Sequence, residues 1–319
     1  MEIRIANNDD LPEIIELMKI CLGEDYTRKS KAFWDWKHVD NPFGPSKVLL
    51  AEENKKIIGL RTFMYWDWIN GPGKIRAVRA VDTATHPDHQ GKGIFKKLTL
   101  KAVDECIEEN TGMVFNSPNP ISLQGYLKMD WQVAGRLPFY VRAASWMPSK
   151  FSGEQIKNDY EKFSIAKAFE KIPANWFVNS SGDFIHTGID LKFLNWRYNQ
   201  CPVTNYGAVI SAGEFGFIFR IKQKWNYKEL RLCEAWLENE SSIRSMTEAL
   251  RKVIKHIKPL ILTCGSSEIF TNDIINTAGF LGPFKKGPVI SIRKLAMNDL
   301  SDFAAFKKWK PSLGSMELF

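Results

Sequence analysis

The sequence predicts an α/β protein: an α+β mixed sheet flanked by helices, built twice in tandem, with the second copy degenerate. Three observations carry this. The candidate elements run β-α-β-β-β-α-β-α-β-β over the first half. The stretch "KVLLAEENKKIIGLRTFMYWDWINGPGKIRAVRAVDTATH" reads as three consecutive antiparallel strands, turned at the polar "EENKK" and the Gly-rich "NGPG". Finally, "FWDWKHVDNP" at 33–42 has a counterpart in "FLNWRYNQCP" at 193–202, with Phe33/Phe193, Trp36/Trp196, Lys37/Arg197 and Pro42/Pro202 all 160 positions apart.

Taken in order, "IRIA" alternates as a short strand, and "NNDDLPEIIELMKICL" opens a helix. Asn and Asp stand at the capping positions, Pro in the first turn, and Leu11, Ile14, Ile15 and Met18 on one face. After the three strands, Ile94, Leu98, Ala102 and Cys106 recur at helical spacing. "GMVFNS" is a strand, "NPISLQGYLKMDW" a short helix and "WQVAGRLPFYVRAAS" a closing pair of strands. That sets a first domain at 1–147, a polar connecting segment at 148–185 and a second domain at 186–319. The second retraces the element order through "AVIS", "GFIFRIK", "ELRLCEAWL", "SIRSMTEALRKVIKHI", "PLILTC", "FTNDIINTAGF" and "PVISIRKL".

Composition narrows the classes. With 319 residues, 44% hydrophobic and 25% charged, the chain has an ordinary globular balance. No stretch approaches the roughly 20 apolar residues of a membrane span, and the opening residues are too acidic for a signal peptide. The five cysteines are scattered and form no CxxC pair, which points to reduced thiols and a cytoplasmic protein. A net charge of +8 suits an anionic partner, yet no run of five basic residues occurs. Nucleic acid is therefore not the default partner, and a phosphorylated small molecule explains the charge as well as a nucleic acid would.

"THPDHQGKGIFKKL", from Thr85 to Leu98, places Gly91 and Gly93 ahead of a helical pattern, with Lys92, Lys96 and Lys97 adding charge. A helix N-terminus presents unpaired N–H groups and partial positive charge, and glycines let a pyrophosphate approach them. A dinucleotide fingerprint fails because Lys96 occupies the third Gly position, and a P-loop fails for want of Gly-Lys-Ser/Thr. Taken alone, a Gly-x-Gly is more often a plain strand-to-helix turn.

This run strongly resembles motif A of the GNAT acetyltransferases, whose core is Gln/Arg-x-x-Gly-x-Gly/Ala. Pro87, Gln90 and Gly93 match, and Phe95 replaces the final Gly/Ala. The resemblance implies that the amides of Gln90, Gly91, Lys92, Gly93, Ile94, Phe95 and Lys96 hold the pyrophosphate of acetyl-CoA. It also implies that the strand Thr83, Ala84 and Thr85 pairs with the pantetheine arm. A second family signature, Asn-x-x-Ala-x-x-x-Tyr-x-x-x-Gly-Phe, reads here as Asn119, Ser122, Tyr126, Asp130 and Trp131. Carried over, Asn119 and Ser122 face the arm and Tyr126 is the general acid. Asp82 is a candidate general base or a residue that steers one through water; its alternative is a strand-end ion pair with Arg76 or Arg79.

The resemblance implies acetyl or short-acyl transfer from acetyl-CoA to a primary amine on a small molecule, with no metal, no nucleic acid and no membrane span. Aminoacyl or longer-chain transfer on the same fold, and a non-catalytic acyl-CoA-binding regulator, remain as alternatives. His86 and His89 are loop histidines in preference to metal ligands. Trp34, Trp36, Tyr65, Trp66 and Trp68 are dense near the presumed acceptor side, each more often structural than binding. In the second half "ENESSIRSM" has two acids and no glycine where the loop stands, and setting Phe280 against Trp131 puts Ile275 at the Tyr126 position. That lobe is expected to be scaffold or cleft wall.

Overall fold

The computed structural model describes residues 1–25, 27–149, 151–176, 184–265, 272–299 and 301–316. Among the described residues the chain divides into two units, one of Met1–Gly135 with Val289–Lys308, the other of Arg136–Pro288 with 309–316.

In the first unit β1 (Glu2–Ile5) leads through a short turn into α1 (Leu11–Leu22). A capping box starts that turn: the Asn7 side chain accepts from the Asp9 amide, and Asp10 accepts from the Asn7 amide. α1 buries Ile14, Leu17 and Met18, the face its spacing marks. α2 (Lys31–Trp34) continues into a π-helical turn, Asp35–Val39. The strands β2 (Lys47–Glu53), β3 (Lys56–Asn70) and β4 (Gly73–Thr85) then form the expected antiparallel meander. α3 (Ile94–Glu108) follows, then β5 (Met113–Asn116), α4 (Pro120–Leu127) and β6 (Gln132–Arg136).

β7 (Phe139–Ala143) does not close this sheet, contrary to the pairing and to the boundary at 147 that the sequence suggests. It lies in the second unit between β12 (Ile261–Gly265) and β13 (Leu281–Phe284). In exchange β14 (Val289–Lys294), from the far end of the chain, enters the first sheet between β5 and β6. Alternation sets a strand's face but not its edge, so the sequence pattern carries no sign of the exchange. The strand order is β1-β2-β3-β4-β5-β14-β6; β4 and β5 pair in parallel, β5 and β14 antiparallel.

The segment expected to be a connector carries α5 (Gly153–Lys162) and α6 (Ile165–Phe169), both of the second unit. Ile156 enters the core there, and the Ala208 amide donates to the Phe163 carbonyl. Beyond it come β8 (Ile185–Thr187), α7 (Leu191–Leu194) with its π-helical turn Asn195–Asn199, β9 (Gly207–Ser211), β10 (Phe215–Gln223), β11 (Lys228–Leu237), α8 (Ile243–Ile257) and α9 (Asn272–Thr277). The same break from α to π winding thus recurs 160 positions on, capped by Ser30 in one copy and Asp190 in the other. Both central hairpins also carry a register shift, at Arg61/Thr62 on β3 and Ile218/Phe219 on β10. These shared irregularities support the tandem reading more strongly than the ten-residue motif.

Candidate active site

The site grows from a departure in the first sheet. β4 pairs in parallel with β5 only at Ala77–Met113, Val78–Val114 and Arg79–Phe115. Beyond that, Ala80–Thr85 runs on against β3 alone among the described strands. The two strands part there, so beyond Arg79 no described strand covers that edge of β4. Thr83, Ala84 and Thr85 lie on that stretch.

At its foot the chain bulges. Arg61 pairs with Thr83 and Thr62 with Val81, so Asp82 has no opposite number, and its φ is +32°. The Thr62 hydroxyl donates to the Val81 carbonyl at 2.8 Å, which pins the bulge. The extra residue reverses facing along β4. Val78 and Ala80 pack in the cluster under α3, whereas Ala84 packs in the cluster under α1.

Asp82 consequently meets α2's π turn rather than Arg76 or Arg79. Its carboxylate lies 2.5 Å from Lys37 Nζ and 2.9 Å from His38 Nε2. Arg76 instead pairs with Asp67 and donates to the Phe43 carbonyl. Burial alone would raise the Asp82 carboxyl; the Lys37 charge and the His38 bond outweigh it and hold the group well below the ordinary range. Burial lowers both Lys37 and His38, Asp82 opposing it in each. His38 Nδ1 faces Ser46 Oγ at 2.9 Å. His38 and Ser46 border a cavity of about 820 Å³ that Trp34 and Tyr65 also line. Trp36, Trp66 and Trp68 are core residues.

The loop beyond β4 turns on Gly91 (φ +78°) and Gly93 (φ +74°), and Gly93 is the N-cap of α3. A Cβ at either glycine would meet nothing within 4 Å, so open space lies over the loop, as a phosphate requires. Gln90 reaches back to the Thr85 carbonyl at 3.4 Å, while Lys92 and Lys96 are exposed. His86 accepts from the Asp88 amide. Ile94 is buried against the sheet. Phe95, the departure from the family core, packs edge-on against Tyr126 with ring centres 5.4 Å apart.

Asn119 is the N-cap of α4, its Oδ1 accepting from the Ser122 amide at 2.8 Å. Tyr126 is buried on the same helix, and its hydroxyl accepts from Arg61 Nη1 at 2.8 Å. Asp130, where the family signature has Gly, takes the left-handed conformation with φ +63°, and Trp131 is a buried plug beside Tyr126. Sequence reasoning missed Arg61, Lys37, His38 and Ser46. The signals existed: Arg61 is the one charge inside "IIGLRTF", and Lys37-His38 sit within the repeated motif, which stands out by its repetition rather than its chemistry.

The second unit repeats the parting of strands without the rest. β11 pairs in parallel with β12 from Glu229 to Leu232 and then continues to Leu237. α8 starts from Ser242 with no glycine before it, and Ile275 is buried in the core.

A family model described as an acetyltransferase (GNAT) domain matches residues 2–134. The L-amino acid N-acyltransferase MnaT of Escherichia coli (strain K12) is 31% identical over 179 residues, which cover 52% of this chain and 99% of that protein. The chain belongs to the GNAT acyltransferase superfamily. A relative from Salmonella typhimurium, the L-methionine sulfoximine/L-methionine sulfone acetyltransferase, is 25% identical over 166 residues, 49% of this chain and 95% of that one. Two solved structures share the fold over most of the chain. One is a probable N-acyltransferase from Enterococcus faecalis V583, with TM-score 0.65, 11% identity, and 94% of this chain against 74% of that one. The other is a GCN5-related N-acetyltransferase from Anabaena variabilis, with TM-score 0.63, 10% identity, and 92% against 73%. The curated relatives are thus about half this chain's length, whereas the two solved structures align with nearly all of it. No helix among the described residues is long and apolar enough to cross a membrane.

Proposed function

We propose that the first unit is an N-acyltransferase that moves an acetyl or other short acyl group from acyl-CoA to the primary amine of a small molecule. The observation that carries this is the parting of β4 from β5 beyond Arg79 and Phe115, directly ahead of the Gly91–Gly93 loop. An extended amide-bearing arm suits the free edge at Thr83, Ala84 and Thr85, and a pyrophosphate suits the first turn of α3 with Gln90 through Lys96 around it. Asn119 and Ser122 shape the start of α4 along the same path.

In this reading the amine nitrogen bonds to the thioester carbonyl carbon and the C–S bond breaks. The sulfur takes the Tyr126 proton, the amine gives up its own proton to solvent, and solvent returns a proton to Tyr126. Free N–H groups on the β4 edge polarise the carbonyl. Asp82, held ionised by Lys37, is a poor proton acceptor; its role is to fix His38 and the bulge that shapes the edge. A cytoplasmic setting accords with the five thiols being free. The domain scheme extends this reading, the second unit acting as scaffold.

The test is thiol release from a short-to-long acyl-CoA series against amino acids, amino sugars and polyamines. Turnover with a short acyl-CoA and a primary amine is expected. Tight acyl-CoA binding with no thiol released for any amine would leave a binding module, and preference for long acyl chains would refute the short-acyl assignment.

A further inference from the structure

Arg61 is fully buried on β3, opposite Thr83, and among the described residues no carboxylate neutralises it. Nη1 donates to the Tyr126 hydroxyl at 2.8 Å, while Nε and Nη2 have no hydrogen-bond partner among the described residues. Its guanidinium carbon sits 4.8 Å from the ring centre of Phe63, 5.4 Å from that of Tyr126 and 5.7 Å from that of Phe95. Ring faces compensate a cation only in part, and a buried charge lacking its counter-ion is costly. A guanidinium placed this way is short of one negative charge.

We infer that Arg61 is a positioning residue for the leaving sulfur: it orients the Tyr126 hydroxyl and supplies the positive charge that stabilises the coenzyme A thiolate. The inference rests on the acyl-CoA reading above. Because the Tyr126 oxygen accepts from Nη1, its proton is directed away from Arg61 and is free to be donated. When the C–S bond breaks, its electron pair stays on sulfur and the Tyr126 proton moves to it. The phenolate oxygen left behind faces Nη1, so the negative charge remains against the guanidinium whichever atom carries it. Phe95 gains a purpose here. A glycine or alanine at that position, the family's usual residue, would leave the guanidinium without one of its walls.

The experiment compares coenzyme A with desulfo-coenzyme A, which lacks the sulfur, by calorimetry on the full chain between pH 7 and 9.5. A free thiol ionises near 8.5; a site that favours the thiolate moves that ionisation to lower pH. Affinity for coenzyme A should therefore rise by roughly sevenfold relative to desulfo-coenzyme A over that range, the gain expected when the bound thiol ionises near about 7.5. In folded Arg61→Gln or Arg61→Met protein the two ligands should follow the same curve. A merely structural Arg61 would alter both ligands alike. Parallel curves in the unsubstituted protein overturn the inference, whatever the variants do, and so does a gain that survives in a folded variant. Failure of both ligands to bind overturns the acyl-CoA reading itself.

Discussion

Tyr126 is held by Arg61 on one side and by Phe95 and Trp131 on two others, so removing its oxygen leaves the ring in place. Phenols are weaker acids than thiols, so a tyrosine hydroxyl is able to donate a proton to a forming thiolate. On the proposed reading the gain is expected to be modest, at the lower end of the roughly 10²–10⁴ typical of proton transfer. Tyr126→Phe should lower kcat by about a hundredfold and leave acyl-CoA affinity nearly unchanged, measured once an acceptor is in hand. Unchanged kcat would remove Tyr126 from the chemistry. Tyr126 was legible because its spacing from Asn119 fits a signature. Asp82 was legible as a residue but not in its partners. Alternation puts 76, 78, 80 and 82 on one face, and the bulge turns Asp82 to the opposite one, where Lys37 waits 45 positions upstream. A bulge has no reliable sequence mark when the extra residue is not glycine.

At the scale of elements, the Gly91–Gly93 loop, α3 and α4 were all readable, since glycines, caps and helical spacing are local. The exchange of β7 and β14 was not, because which sheet edge a strand joins is settled by tertiary packing. The loop makes the sharper test. A Cβ at Gly93 meets open space, so Gly93→Val acts through two effects alone: strain at φ +74° and obstruction of an arriving phosphate. A β-branched residue in the left-handed region costs about 1–2 kcal/mol. Gly93→Val should weaken acyl-CoA binding tenfold or more, about 1.4 kcal/mol, in protein whose far-UV spectrum is unaltered. Full affinity in the folded variant would refute the loop's role.

Across the whole molecule, two copies of one plan have diverged in chemistry. The second lacks the glycines and carries Ile275 in the tyrosine's place, so saturating titration should find one acyl-CoA per chain; a stoichiometry of two would overturn the division of labour. Where the first unit sets Lys37 and His38 against Asp82, the second sets Arg197 and Tyr198 near Glu234. The Tyr198 hydroxyl donates to Glu234 at 2.7 Å, the Ser312 hydroxyl also donates to Glu234, and Arg197 bonds the Gly314 carbonyl and the Tyr206 hydroxyl. Burial pushes the Glu234 carboxyl up to about 7 from 4.5, despite the Ser312 and Tyr198 bonds and the Arg197 charge. The unfolded chain releases this proton above pH 4.5, whereas the folded chain keeps it to about 7. Between those values the folded state binds more protons, so stability falls as pH rises, by about 3 kcal/mol in all. Above 7 the penalty is constant. Glu234→Gln keeps an accepting oxygen for Tyr198 and Ser312 but carries no charge at any pH. Urea denaturation at pH 5 and pH 8 should show the unsubstituted protein losing stability between the two and the variant losing less, by an amount on the order of that 3 kcal/mol. If the two proteins fall in parallel, Glu234 enters the folded state already ionised and its burial is compensated from elsewhere in the unit.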